Sequence, residues 1–139
     1  MSVKEKFLDY VRFDTQSDET SATIPSTEKQ KTLGAHLVEE MQRIGIADAR
    51  MDEHGYVYGS IPANCEKKNT IGFIAHMDTS PDFSGENVQP RLIENYDGGD
   101  VELGHGRVLS AKSFPHLPSL KGRTLITASG DTLLGADDK

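Results

Sequence analysis

Thr70-Ile71-Gly72-Phe73-Ile74-Ala75, followed at once by His76-Met77-Asp78, is the stretch on which the reading of this chain turns. Six uncharged residues with β-branched and aromatic side chains have the pattern of a short strand buried on both faces. Ionisable residues come directly after it. In open α/β sheets ligands sit at the carboxyl ends of strands, where loops aim side chains into a crevice. His76 and Asp78 are two apart, so in a strand that continues through them both side chains leave the same face.

An imidazole that binds a metal usually donates its other ring proton to a carboxylate, which fixes the tautomer. Asp78 has the spacing for that partner, although a bare His-x-Asp also arises by chance. A second feature ends the chain, Leu134-Gly135-Ala136-Asp137-Asp138-Lys139. Two adjacent carboxylates after an apolar run repel each other unless they are solvated, hydrogen-bonded or neutralised by a cation. One carboxylate can also bridge two metal ions about 3.5–4 Å apart. The other reading of Asp137-Asp138 is a solvated strand-to-loop turn. On the metal reading, His76 and Asp137 are expected on one rim, at the carboxyl ends of neighbouring strands. The remaining histidines carry no such expectation: His36 lies beside a helical stripe, His54 at a turn, His105 in a Gly-His-Gly turn and His116 between prolines.

Outward from these motifs, Val3, Phe7, Leu8 and Val11 share one side of an expected helix over residues 3–13. Residues 14–26 are polar and aperiodic and read as a loop. Thr27 with Gln30 has capping-box spacing, Leu33, Leu37, Val38, Met41 and Ile44 continue a helical stripe, and Gly45 is a natural left-handed stop. Residues 47–61 read as a hairpin turning at Glu53-His54-Gly55. Helix followed by buried strand points to an α/β fold in one domain. Residues 80–123 are irregular over a length that calls for short strands or a function. Two late runs, Thr124-Leu125-Ile126-Thr127 and Thr132-Leu133-Leu134, read as extended and joined by a turn at Ser129-Gly130-Asp131.

The bulk properties exclude several classes. With 139 residues, 35% hydrophobic and 27% charged, the chain can build a real core. A net charge of −7 without a Lys/Arg cluster argues against nucleic acid and anionic membrane as partners. No segment approaches the ~20 apolar residues of a membrane span, and Met1-Ser2-Val3-Lys4-Glu5-Lys6-Phe7 lacks the apolar stretch of a signal peptide. The lone Cys65 can form no internal disulfide. A cytoplasmic protein with a small-molecule partner is expected. There is no nucleophile elbow, phosphate-cradling loop or dinucleotide fingerprint.

Taken together, the motifs acquire a resemblance. Gly72-Phe73-Ile74-Ala75-His76-Met77-Asp78-Thr79-Ser80-Pro81-Asp82 resembles the first metal motif of the di-zinc aminopeptidase and carboxypeptidase family, in its tripeptide-cleaving branch. Phe13-Asp14-Thr15-Gln16-Ser17, Pro25-Ser26-Thr27, Glu94-Asn95-Tyr96-Asp97-Gly98-Gly99-Asp100 and Thr132-Leu133-Leu134-Gly135-Ala136-Asp137-Asp138-Lys139 fall in that branch's order. The resemblance implies His76 as a ligand of one zinc, Asp137 as the carboxylate bridging two zinc ions, and Asp78 as the catalytic aspartate behind His76. It implies small peptide substrates and removal of the N-terminal residue from tripeptides. A dipeptidase or deacylase of the same family, or a non-catalytic interaction module, are the alternatives.

The fold implied is the N-terminal portion of a three-layer α/β/α catalytic domain, truncated and without the family's lid domain. Residues 1–139 would be an incomplete part of that domain. The general-base glutamate and the remaining ligands that the resemblance implies have no counterpart in this sequence, so the chain alone is expected to be inactive. The Asp137–Asp138 peptide bond, commonly cis in such enzymes, is expected to be trans here, since a cis bond without proline costs about 2.5–4 kcal/mol.

Overall fold

The computed structural model describes residues 1–66 and 69–136. They form two compact units, one made of Thr15–Pro81 and the other of Met1–Asp14 with Asp82–Ala136. Helices and strands are mixed, as in a fragment of an α/β protein.

The Thr15–Pro81 unit is built on helix α2 (Gln30–Arg43). Its start departs from the expected capping box. Lys29 is the N-cap and makes no side-chain cap. Thr27 Oγ1 instead donates to the Gln16 carbonyl (2.8 Å), and the Gln30 amide donates to Thr27 Oγ1 (3.1 Å). The side chains that could cap the helix are thus used to tie down the preceding loop. The far end closes as expected, with Gly45 at φ 103°. Gly45 N–H donates to Gln42 O and Ile46 N–H to Met41 O, the paired bonds of a Schellman stop.

Helix α2 packs on an antiparallel hairpin of β1 (Arg50–Met51) and β2 (Val57–Tyr58), with Met51 opposite Val57. Gly34 allows the close approach, because a Cβ there would lie 2.5 Å from Met51 Sδ. Leu33 is wholly buried and Ala49 nearly so, whereas Ile44, at the end of the expected stripe, is exposed. At the turn, Asp52 Oδ1 accepts from the His54 and Tyr56 amides, leaving His54 at the tip.

In the other unit, α1 (Val3–Tyr10) opens with a full capping box between Ser2 and Glu5. Its apolar stripe deepens along the helix: Val3 is exposed, Tyr10 and Val11 are buried. The irregular stretch after Asp82 does carry short strands, β3 (Arg91–Ile93), β4 (Val101–Gly104) and β5 (Arg107–Leu109), then a 3-10 turn over Leu117–Leu120 and β6 (Leu125–Thr127). Strands β4 and β5 form a hairpin, and β3 pairs antiparallel with β6. Tyr96, Val101 and Leu117 make the core, joined by Ile93, Leu103, Leu109 and Leu125. The late run at 124–127 is therefore a strand, but its partner is β3 and not the run at 132–134. Thr132 forms a single parallel bridge to Ser84 instead.

The structure departs furthest from expectation at residues 70–75, expected as a strand buried on both faces. Residues 70–75 form no strand, and Ile71, Phe73 and Ile74 are 77%, 94% and 100% exposed. A strand buried on both faces needs ladder partners at its edges and a layer on each side. Among the described residues the strands are spent in three antiparallel pairs elsewhere. Hydrophobic content selects the segment for burial, yet nothing among the described residues supplies the covering layers.

Candidate metal centre

His76 and Asp78 stand at the end of this exposed run, so no strand aims them. What fixes them is Thr79. Its N–H donates to the Thr15 carbonyl (3.0 Å), and its own carbonyl accepts from both the Ser17 N–H (2.9 Å) and Ser17 Oγ (2.9 Å). Gln16 pairs with Thr79 in a parallel bridge and donates its side-chain amide to the Pro81 carbonyl (3.1 Å). Thr15 is 1% exposed and Thr79 is buried. Buried backbone groups must be paired, so this short ladder resists opening. The loop at 15–17 is itself held by Thr27, which is held by Gln30 at the head of α2. Three stretches that are separate in sequence thus meet as one network around the His76 motif.

Within the motif, His76 Nδ1 lies 3.0 Å from Asp78 Oδ1. Both side chains face solvent, at 64% and 43% exposed. At that distance a protonated Nδ1 donates to the carboxylate, which places the ring's lone pair on Nε2. This is the arrangement in which metal-binding histidines are held. The donor set therefore fits one imidazole ligand of a zinc ion with its orienting carboxylate.

The rest of the expected centre is not reached. Among the described residues no three His, Cys, Asp or Glu side chains gather into a cluster that could hold a metal ion. Asp137 and Asp138, with the peptide bond between them, lie outside the described residues. The expected rim carrying both His76 and Asp137 loses its first strand, because the chain before His76 is not one. Of the other histidines, His54 is 3.6 Å from Glu53, and His116 packs edge-on to Phe114. His105 is different. Its Nε2 sits 3.3 Å from Asp131 Oδ2, a partner 26 positions away that sequence spacing could not show.

Comparison with known proteins agrees with the motifs. Peptidase T of Clostridium acetobutylicum is 57% identical over 140 aligned residues, covering 99% of this chain and 34% of that protein. Peptidase T of Clostridium perfringens is 56% identical and that of Desulfitobacterium hafniense 58%, each with the same coverage. This chain is a homologue of peptidase T. It spans about a third of the length of these curated relatives, consistent with an N-terminal portion. No family model matches it. No helix among the described residues is long and apolar enough to cross a membrane.

Proposed function

We propose that this chain is the N-terminal part of the catalytic domain of a cytoplasmic, zinc-dependent aminopeptidase that removes the N-terminal residue from tripeptides. The observation that carries this is the His76–Asp78 pair, 3.0 Å apart and fixed through Thr79, in a chain homologous to peptidase T throughout. The full architecture would be a three-layer α/β/α domain, in which the apolar run at 70–75 is covered.

In this reading His76 and Asp137 would be among the residues that hold the zinc ions. Bound zinc would act as a Lewis acid and lower the pKa of a coordinated water. Asp78 keeps the His76 ring in the tautomer and orientation that binding requires. The network through Thr79, Ser17 and Gln16 keeps the His76 loop from drifting, which matters because misplacement of about 1 Å costs about a hundredfold in rate. A general base is not among the residues assigned here, so the chain alone is expected to turn over no tripeptide.

Zinc titration of the purified 139-residue chain, with tripeptide hydrolysis assayed in parallel, tests this reading. The expected result is weak zinc binding that His76→Ala and Asp137→Ala each diminish, and no hydrolysis. Zinc binding indifferent to both substitutions would refute the ligand assignment. Specific tripeptide cleavage lost on His76→Ala would refute the claim that the chain lacks a complete catalytic set.

A further inference from the structure

We propose that residues 69–75 are a self-association site, through which two copies of this chain pair as antiparallel strands. The stretch belongs to an exposed arm. All described residues from Tyr58 to His76 are exposed, with Ile71, Phe73 and Ile74 at 77%, 94% and 100%. The arm is anchored at both ends, by the pairing of Tyr58 with Arg50 before it and by the hydrogen bond from the Thr79 N–H to the Thr15 carbonyl after it. Uncharged segments without proline, rich in β-branched and aromatic residues, pair with another strand when they are left uncovered. The run thus takes the pairing its composition calls for, but from a second molecule.

Charge and sequence symmetry single out a second copy as the occupant. The chain carries a net charge of −7, yet Asn69-Thr70-Ile71-Gly72-Phe73-Ile74-Ala75 has no ionisable side chain, so two like-charged copies meet here without repulsion. The stretch is also complementary to itself. A twofold axis through Gly72 sets Ile71 of each copy opposite Phe73 of the other, with Thr70 opposite Ile74 and Asn69 opposite Ala75. An aromatic facing a β-branched residue is a favoured cross-strand pair. At the axis a Cβ on Gly72 would meet no atom of its own chain within 4 Å, which leaves that backbone open to a neighbour. The assembly stops at two copies. A third strand would set two like-oriented bodies about 10 Å apart, twice the strand spacing, whereas a unit the size of Thr15–Pro81 has a radius of gyration of about 11 Å. So short an interface falls well below the ~20–30 residues a side of a standard one, and association is weak. His76 lies just beyond the pairing stretch, so the proposal stands apart from the metal assignment.

Sedimentation equilibrium of the full 139-residue chain, with EDTA present so that no metal bridges copies, tests this. The mass should rise from the 15.2 kDa of one chain toward twice that value between about 1 µM and about 1 mM, the range of weak interfaces. Deuterium exchange at the amides of residues 71–75 should slow over the same range. Ile71→Lys and Phe73→Glu should each weaken dimerisation about tenfold, since two favoured cross-strand pairs are lost per dimer. Both side chains are exposed, so far-ultraviolet circular dichroism should not change. Mixing the two variants should restore association, because in this register the introduced charges face each other across the copies. A mass of one chain throughout the range overturns the proposal, and protection of the 71–75 amides at every dilution would then show the run covered by its own chain. Dimers indifferent to both substitutions place the interface elsewhere and overturn the site. Variants that dimerise no better mixed than apart overturn the antiparallel register.

Discussion

Replacing Ile74 by serine separates the sequence reading from the structure most sharply. Read as the centre of a strand buried on both faces, Ile74 would cost several kcal/mol to truncate, since core Ile or Leu to Ala changes cost about 2–5 kcal/mol. In the structure Ile74 is 100% exposed, so no apolar surface returns to water when it is cut back. Its neighbour Phe73 at 94% exposed hides only the remaining 6% of its surface. Six per cent of the ~3 kcal/mol that full burial of such a side chain contributes is about 0.2 kcal/mol. Ile74→Ser and Phe73→Ser should therefore each change stability by less than about 0.5 kcal/mol, the range of surface substitutions. Urea unfolding followed by far-ultraviolet circular dichroism gives the measurement, with m compared between variants to confirm that the same transition is seen. Leu33→Ala, at a wholly buried site on α2, calibrates the same assay and should lose about 2–5 kcal/mol. A loss above 2 kcal/mol for Ile74→Ser would refute the exposed placement and restore the buried strand.

Three further outcomes follow from the structure. Asp78→Asn should weaken zinc binding by the chain about 10- to 100-fold, the usual effect of losing the partner that orients a ligating histidine, as read by competition with a zinc-responsive dye. Gly45→Ala meets no atom within 4 Å, so its cost comes from the backbone at φ 103° alone; about 1–2 kcal/mol is expected in urea unfolding. Acid should destabilise the fold. The Ser129 hydroxyl bonded to Asp131 and the Ser60 amide bonded to Asp48 hold these carboxyls below the ordinary aspartate value of 3.8. A folded value lower than the unfolded one gives stability that is complete above about pH 4 and lost as pH falls through the folded values. Asp48→Asn and Asp131→Asn should each flatten part of that slope in unfolding curves taken between pH 5 and 2, with pH values of this order set by the aspartate range.

Much of the chain was legible from local patterns. The α2 stripe with its Gly45 stop and the hairpin turning at Glu53-His54-Gly55 depend on periodicity and turn chemistry within a few residues, and both are present. The His76-Met77-Asp78 motif was legible too, since spacing of two allows the 3.0 Å contact by itself. Its resemblance to the tripeptide-cleaving branch rested on motif order, and peptidase T of Clostridium acetobutylicum aligns with 99% of the chain.

Tertiary structure decided what depends on distant partners. Thr27 and Gln30 had the spacing of a capping box, but competition from the Gln16 carbonyl redirected the threonine to the loop at 15–17. The strand at 125–127 took β3 as its partner across more than thirty residues of sequence, which no turn signal encodes. His105 had no carboxylate at ligand spacing and found Asp131 through the fold. The run at 70–75 shows the limit most plainly. Its composition records a demand for burial, and burial is met only by surfaces that other parts of a protein bring to it.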